Sequence, residues 1–119
     1  MIRAVIIDDE PCAIGNLSRL LNESGMVEIV GEFTNPHDAM IRLADLDADV
    51  VFLDIVMPGI DGMLFAKRLM NRDRRIRVVF VSAHSKYAVD AFETGETDYL
   101  LKPVSAHRLQ KTLRSITRE

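Results

Sequence analysis

Four ionisable side chains in this chain stand where an apolar run stops. Val50-Val51-Phe52-Leu53 ends in Asp54, Ala4-Val5-Ile6-Ile7 ends in Asp8-Asp9, and Asp98-Tyr99-Leu100-Leu101 ends in Lys102. A fourth run, Val78-Val79-Phe80-Val81, ends in the hydroxyl of Ser82. Oxygen donors without His or Cys suit a hard cation, so they point to Mg²⁺ rather than zinc, and Mg²⁺ needs few protein ligands because it keeps several waters. Asp8, Asp9 and Asp54 carry about −3, which one Mg²⁺ and Lys102 would balance. Converting Asp54 to an acyl phosphate adds about one further negative charge, which new donors such as Ser82 must absorb. The chemistry this set can support is phosphoryl transfer onto a carboxylate.

Taken singly, each of these residues is ordinary: a turn aspartate, a serine after a strand, a solvated lysine. Their joint placement is what carries the reading, and it depends on the elements that deliver them. A short β-branched run closed by acid reads as a buried strand delivering its last side chain to a sheet rim. Between the strands lie helical patterns. Pro11 opens one with Ile14, Leu17, Leu20 and Leu21 on a face, closed by Gly25. The stretch Val27 to Phe33 alternates like a more exposed strand, and Asn35 with Pro36 starts a second helix carrying Ala39, Met40, Leu43 and Leu46. Asp61 caps a third with Leu64, Phe65 and Leu69; Lys86 to about Glu93 predicts a short fourth ended by Gly95; Ser105 caps the last, with Leu109, Leu113 and Ile116. Five strands alternating with five helices imply an α/β, doubly wound parallel sheet covered on both faces. The expected order is 2-1-3-4-5, a flavodoxin-like three-layer sandwich, with the strand ends converging at the switch point between strands one and three.

The acidic pair Asp8-Asp9, the segment Asp54-Ile55-Val56-Met57-Pro58-Gly59-Ile60-Asp61-Gly62, Ser82-Ala83 and Tyr99-Leu100-Leu101-Lys102-Pro103 occur together in order and spacing. In these motifs the chain resembles the receiver domain of bacterial two-component response regulators, the CheY-like family, over essentially all of its 119 residues. The resemblance implies that Asp54 takes a phosphoryl group from a phosphohistidine on a sensor histidine kinase or phosphotransfer protein. It implies that Asp9 binds Mg²⁺ directly, Asp8 mainly through a metal-bound water, and Val56 through its backbone carbonyl. Lys102 would pair with Asp54 and then with a phosphoryl oxygen, while the Ser82 hydroxyl and the Ala83 N–H would bind the phosphoryl group. The Lys102-Pro103 bond is expected to be cis, and Tyr99 is expected to turn inward as Ser82 moves. Val56 and His84 would flank the path of an attacking water and so bear on phosphate lifetime.

Composition agrees with one cytoplasmic domain, residues 1–119. At 48% hydrophobic content the chain can bury a core without staples. Its single cysteine, Cys12, has no thiol partner and suits a reducing compartment. A formal charge of −3 and a pI near 5.6 argue against direct nucleic-acid contact by this segment. The run Arg72, Arg74, Arg75, Arg77 reads as a solvated connection. No apolar run reaches the roughly 18 residues that would span a bilayer, and no signal peptide precedes the first strand.

The segment from Tyr87 to Val104 looks most like receivers of the LytR/AlgR type, whose full proteins carry a C-terminal DNA-binding domain. The last helix reaches Arg118-Glu119 without a Gly or Pro terminator, so the expectation is a receiver from a longer transcription regulator, with a homodimer formed on activation as a further candidate partner. An output domain of another activator kind is the second choice and a stand-alone receiver the third. Two other classes compete. An aspartyl-phosphate phosphatase of the haloacid-dehalogenase type needs an acid two residues after the nucleophile, where this chain has Val56. A flavin-binding module needs a phosphate-cradling loop after the first strand, where Asp8-Asp9-Glu10 would repel phosphate.

Overall fold

The computed structural model describes residues 1–73, 75–83 and 98–117. The expected helix from Lys86 to Glu93, its Gly95 terminator, His84 and Arg74 lie outside the described residues. In chain order the elements are β1 (Ile2–Ile7), α1 (Pro11–Ser24), β2 (Val27–Phe33), α2 (Pro36–Leu46), β3 (Val50–Asp54), β4 (Val56–Met57), β5 (Ile60–Asp61), α3 (Gly62–Arg72), β6 (Arg77–Ser82), β7 (Asp98–Leu101) and α4 (Ala106–Thr117).

Five strands form one parallel sheet in the order β2-β1-β3-β6-β7. This is the doubly wound order expected from the sequence, with the labels shifted because β4 and β5 form a separate two-residue antiparallel hairpin. The apolar runs are continuous because both faces of the sheet are covered, so alternate side chains serve different cores. Ala4, Ile6, Val50, Phe52, Val79, Val81 and Leu100 pack with Leu17, Leu21, Leu109 and Leu113 of α1 and α4. Val5, Ile7, Val51, Leu53, Val78, Phe80 and Tyr99 pack with Ala39, Leu43, Phe65, Ala66 and Leu69 of α2 and α3.

Local chemistry sets the helix ends. Asn35 accepts a hydrogen bond from the His37 N–H, and Asp61 accepts from the N–H groups of Met63 and Leu64, each side chain satisfying donors that the first turn leaves open. At the other end of α2, Arg3 of β1 reaches across to donate to the carbonyls of Leu46 and Asp47. The sequence reading departs from the structure in detail at α3. Leu64 is 45% exposed, so it faces outward rather than into the core. The arginine run is not one loop: Arg72 ends α3 and donates to the Met40 carbonyl, Arg75 pairs with Asp73, and Arg77 opens β6. No helix among the described residues is long and apolar enough to cross a membrane.

Candidate functional site

Three strands of the sheet carry their last residues to one rim. β1 runs into Asp8, β3 ends on Asp54, and β7 runs into Lys102. Asp8 and Asp54 are both 4% exposed, a burial that carboxylates tolerate only when partnered. The partner is Lys102, whose Nζ lies 2.8 Å from Asp8 Oδ2 and 3.2 Å from Asp54 Oδ2. Backbone donors fix the remaining oxygens: the Val56 N–H donates to Asp54 Oδ1 at 3.1 Å and the Glu10 N–H to Asp8 Oδ1 at 3.0 Å. Lys102 is itself anchored, its N–H donating to the Ser82 carbonyl at 2.8 Å, and the Lys102-Pro103 peptide is cis.

Asp9 completes the acidic side, and so does Glu10, which the sequence reading passed over. One carboxylate oxygen from each of Asp8, Asp9, Glu10 and Asp54 can be chosen so that all lie within 4.8 Å of one another. Glu10 also approaches Lys102, at 3.9 Å. The signal for Glu10 was its place in the acidic run Asp8-Asp9-Glu10, but nothing short of the turn after β1 tells that its side chain bends back to the rim. Among the described residues, one ammonium stands among four carboxylates, which leaves the cluster electron-rich, and the donors they offer are all oxygen. That donor set fits a hard divalent cation such as Mg²⁺.

The electrostatics make Asp54 the unusual member. Burial, with the neighbouring charge of Asp8, raises its pKa from 3.8 to about 6, against the opposing pull of the Val56 N–H and Lys102. For Lys102, burial works against the charged form, but the hydrogen bond to Asp8 and the charges of Asp54 and Asp8 outweigh it and raise the pKa above the usual lysine value. The ionised Asp54 is thus held at a cost that added positive charge would relieve.

The other predicted residues are placed around this centre. Ser82 is the last residue of β6 and fully buried, one position beyond the pair Asp54–Val81 in the ladder, and Ala83 follows it at the surface. Tyr99 is 7% exposed and belongs to the core under α2 and α3. The Val56 side chain is 46% exposed beside the rim. His84 lies outside the described residues. A second polar cluster went unread in the sequence: Asp98, at the start of β7, accepts from Arg108 and from the fully buried Thr112 of α4, and Arg108 also donates to the Tyr99 carbonyl. Burial opposes ionisation of Asp98, yet the bonds from Arg108, Thr112 and the Tyr99 N–H hold its pKa below the usual carboxylate value.

Residues 4–114 match the family described as response regulator receiver domain. An uncharacterised response regulatory protein of Vibrio cholerae is 42% identical over 119 residues, all of this chain and 50% of the relative. The transcriptional regulatory protein BtsR of Escherichia coli K12 is also 42% identical, over all of this chain and 49% of its own length. The chain therefore spans about half the length of the curated relatives it matches. Among solved structures, the response regulatory domain of protein mrkE from Klebsiella pneumoniae superposes with a TM-score of 0.88 at 35% identity, covering 98% of this chain and 96% of that one. The isolated REC domain of RcsB from Salmonella enterica, at 23% identity, covering 98% of this chain and 88% of that one, shares the fold with a TM-score of 0.89.

Proposed function

Because this chain belongs to the response regulator receiver domain family, we propose that it is a phosphoacceptor signalling domain in which Asp54 accepts a phosphoryl group and the fold passes the change to an output. The observation that carries the proposal is Lys102 seated between two buried carboxylates, 2.8 Å from Asp8 and 3.2 Å from Asp54, at the rim where β1, β3 and β7 converge. An oxygen of Asp54 attacks the phosphorus of the donor, a P–O bond forms, and the bond to the donor's leaving group breaks. With a sensor histidine kinase or a phosphotransfer protein, the leaving group is its histidine.

The parts divide the work. Asp8, Asp9 and Asp54, with the Val56 carbonyl, would hold Mg²⁺, whose charge favours the ionised nucleophile and screens the incoming phosphoryl oxygens. The Val56 N–H on Asp54 Oδ1 fixes the carboxylate plane before reaction, which is the positioning such transfers depend on. After transfer Lys102 is free to follow the added charge onto a phosphoryl oxygen, and the Ser82 hydroxyl with the Ala83 N–H supplies the further donors. Movement of Ser82 is passed to Tyr99, which pairs with Phe80, two residues before Ser82, across the β6–β7 ladder. The domain thereby promotes its own phosphorylation and dephosphorylation without turning over a pool of substrate.

As to its place in the cell, we assign it to the cytoplasm, receiving from a kinase and passing the signal to a DNA-binding output domain of the LytR/AlgR kind, with homodimerisation on activation. The regulatory names of the half-matched relatives support a transcriptional output. An aspartyl-phosphate phosphatase is disfavoured by Val56, whose apolar side chain cannot act as the acid that such an enzyme places there.

The test is incubation with Mg²⁺ and beryllium fluoride or acetyl phosphate, wild type against Asp54→Asn. Stoichiometric modification that requires Asp54, without hydrolysis of unrelated phosphate esters, is expected. Steady turnover of such esters would instead favour the phosphatase.

A further inference from the structure

Gly62, the first residue of α3, lies against backbone rather than side chain. A Cβ placed on it would come 2.6 Å from the carbonyl oxygen of Ile55, 2.7 Å from its Cα and 3.0 Å from its carbonyl carbon. These are main-chain atoms of the residue that follows Asp54. The φ of Gly62 is not in the left-handed region, unlike that of Gly25 and Gly59. Close approach, and not backbone conformation, is therefore what requires glycine at this position.

Neither side of the contact is free to give way. Ile55 is tied on one side to Asp54, paired with Val81 in the sheet, and on the other to Val56, paired with Asp61 in the hairpin. Its own side chain is 5% exposed, packed in the core below α2 and α3. Helix α3 is held by the Asp61 cap on Met63 and Leu64 and by burial of Phe65, Ala66 and Leu69. A methyl group at Gly62 must therefore push the Ile55 backbone, and with it the Val56 N–H that orients Asp54 Oδ1.

We propose that Gly62 is a positioning residue for the phosphoacceptor: its missing side chain sets how closely α3 seats against the Ile55 backbone, and so where the Asp54 carboxylate and the Val56 backbone lie. The proposal rests on the reading of Asp54 as phosphoacceptor. Reactive constellations tolerate about 0.5 Å of displacement, and a misplacement of about 1 Å can cost on the order of 100-fold in rate. Gly62→Ala should accordingly slow phosphorylation by about 10- to 100-fold.

Helix propensity alone predicts no harm from Ala at Gly62, since Ala is the better helix former. Gly15 provides the control, for it lies within α1 with nothing within 4 Å of an added Cβ. The experiment compares wild type, Gly15→Ala and the double variant Gly15→Ala/Gly62→Ala, which carries the stabilised α1. Each is followed for its rate of phosphorylation by acetyl phosphate at saturating Mg²⁺, its Mg²⁺ affinity by calorimetry, and its backbone amide shifts by NMR. Gly15→Ala should behave as wild type. The double variant should fold, show amide shift changes centred on Asp54 to Val56, bind Mg²⁺ more weakly and react about 10- to 100-fold more slowly.

A wild-type rate in the double variant overturns the proposal. So does failure of the double variant to fold, because Gly62 would then serve the fold rather than the site. If wild type itself is not phosphorylated, the phosphoacceptor reading falls, while unmoved amide shifts at Asp54 to Val56 separately refute the positioning claim.

Discussion

Replacing Asp54 with Asn should stabilise the metal-free protein at neutral pH and do so progressively less in acid. The isosteric amide keeps an oxygen for the Val56 N–H but removes a buried charge that Asp8 repels. In the folded protein Asp54 keeps its proton up to about pH 6, whereas the unperturbed value is 3.8. Between those two values the folded state binds more protons than the unfolded state, so the contribution of this group to stability is full below 3.8 and is lost as pH rises to about 6. At about 1.4 kcal/mol for each pH unit, the displacement from 3.8 to about 6 corresponds to about 3 kcal/mol. Asn does not titrate, so its advantage over wild type should grow by about 2 kcal/mol of that between pH 4 and pH 7.5. For a domain of this size that is about 10 °C in Tm. The assay is thermal or urea unfolding of both proteins in a chelator across that range, then again with Mg²⁺. Added Mg²⁺ should stabilise wild type selectively and shrink the gap, because it favours the ionised carboxylate. An advantage that stays constant with pH in the chelator would refute the argument that burial and Asp8 dominate the environment of Asp54.

Three further outcomes follow from the same geometry. Lys102→Met leaves Asp8 and Asp54 facing each other without their shared cation; urea unfolding at pH 8 should show a loss of about 3–5 kcal/mol, with much less lost at pH 5 where protonation relieves the pair. Thr112→Val removes a buried donor from the Asp98 carboxylate and should cost about 1–3 kcal/mol; because Asp98 is held below the usual carboxylate pKa, the stability it contributes is present above that range and lost as pH falls through the depressed value, so acid titration of the variant should show this loss beginning at higher pH. Val56→Asn adds a polar side chain beside the path of an attacking water, and decay of the phosphorylated protein should quicken; an unchanged decay rate would remove the idea that the apolar Val56 prolongs the phosphorylated state.

The strand ends were legible because they combine two strong signals. A β-branched run such as Val50 to Leu53 predicts a strand, and an acid at its end predicts a rim, so the convergence of Asp8, Asp54 and Lys102 needs only the strand order to follow. Features formed by packing between distant elements were not legible in the same way. Asp98, Arg108 and Thr112 carry no joint signal in the sequence, the latter two lying 10 and 14 residues beyond Asp98; only the seating of α4 on β7 makes them one cluster. Glu10 was hidden for a related reason, since the turn that returns it to the rim is closed by its own N–H donating to Asp8. The β4–β5 hairpin leaves no mark in the sequence, because two residues per strand are too few to show a period. Leu64 shows the opposite error: apolar type and helical spacing predicted burial, but it is 45% exposed, lining an open groove with His37 and Met40 of α2 and Arg68 of α3.

We propose Asp54 as the side chain that receives the phosphoryl group. The most direct test is site-resolved mass spectrometry after exposure to acetyl phosphate, with and without Mg²⁺. One Mg²⁺-dependent acyl phosphate per chain is expected, on Asp54 and absent from Asp54→Asn. A phosphoryl group found on another residue, or equal modification of Asp54→Asn, would contradict it.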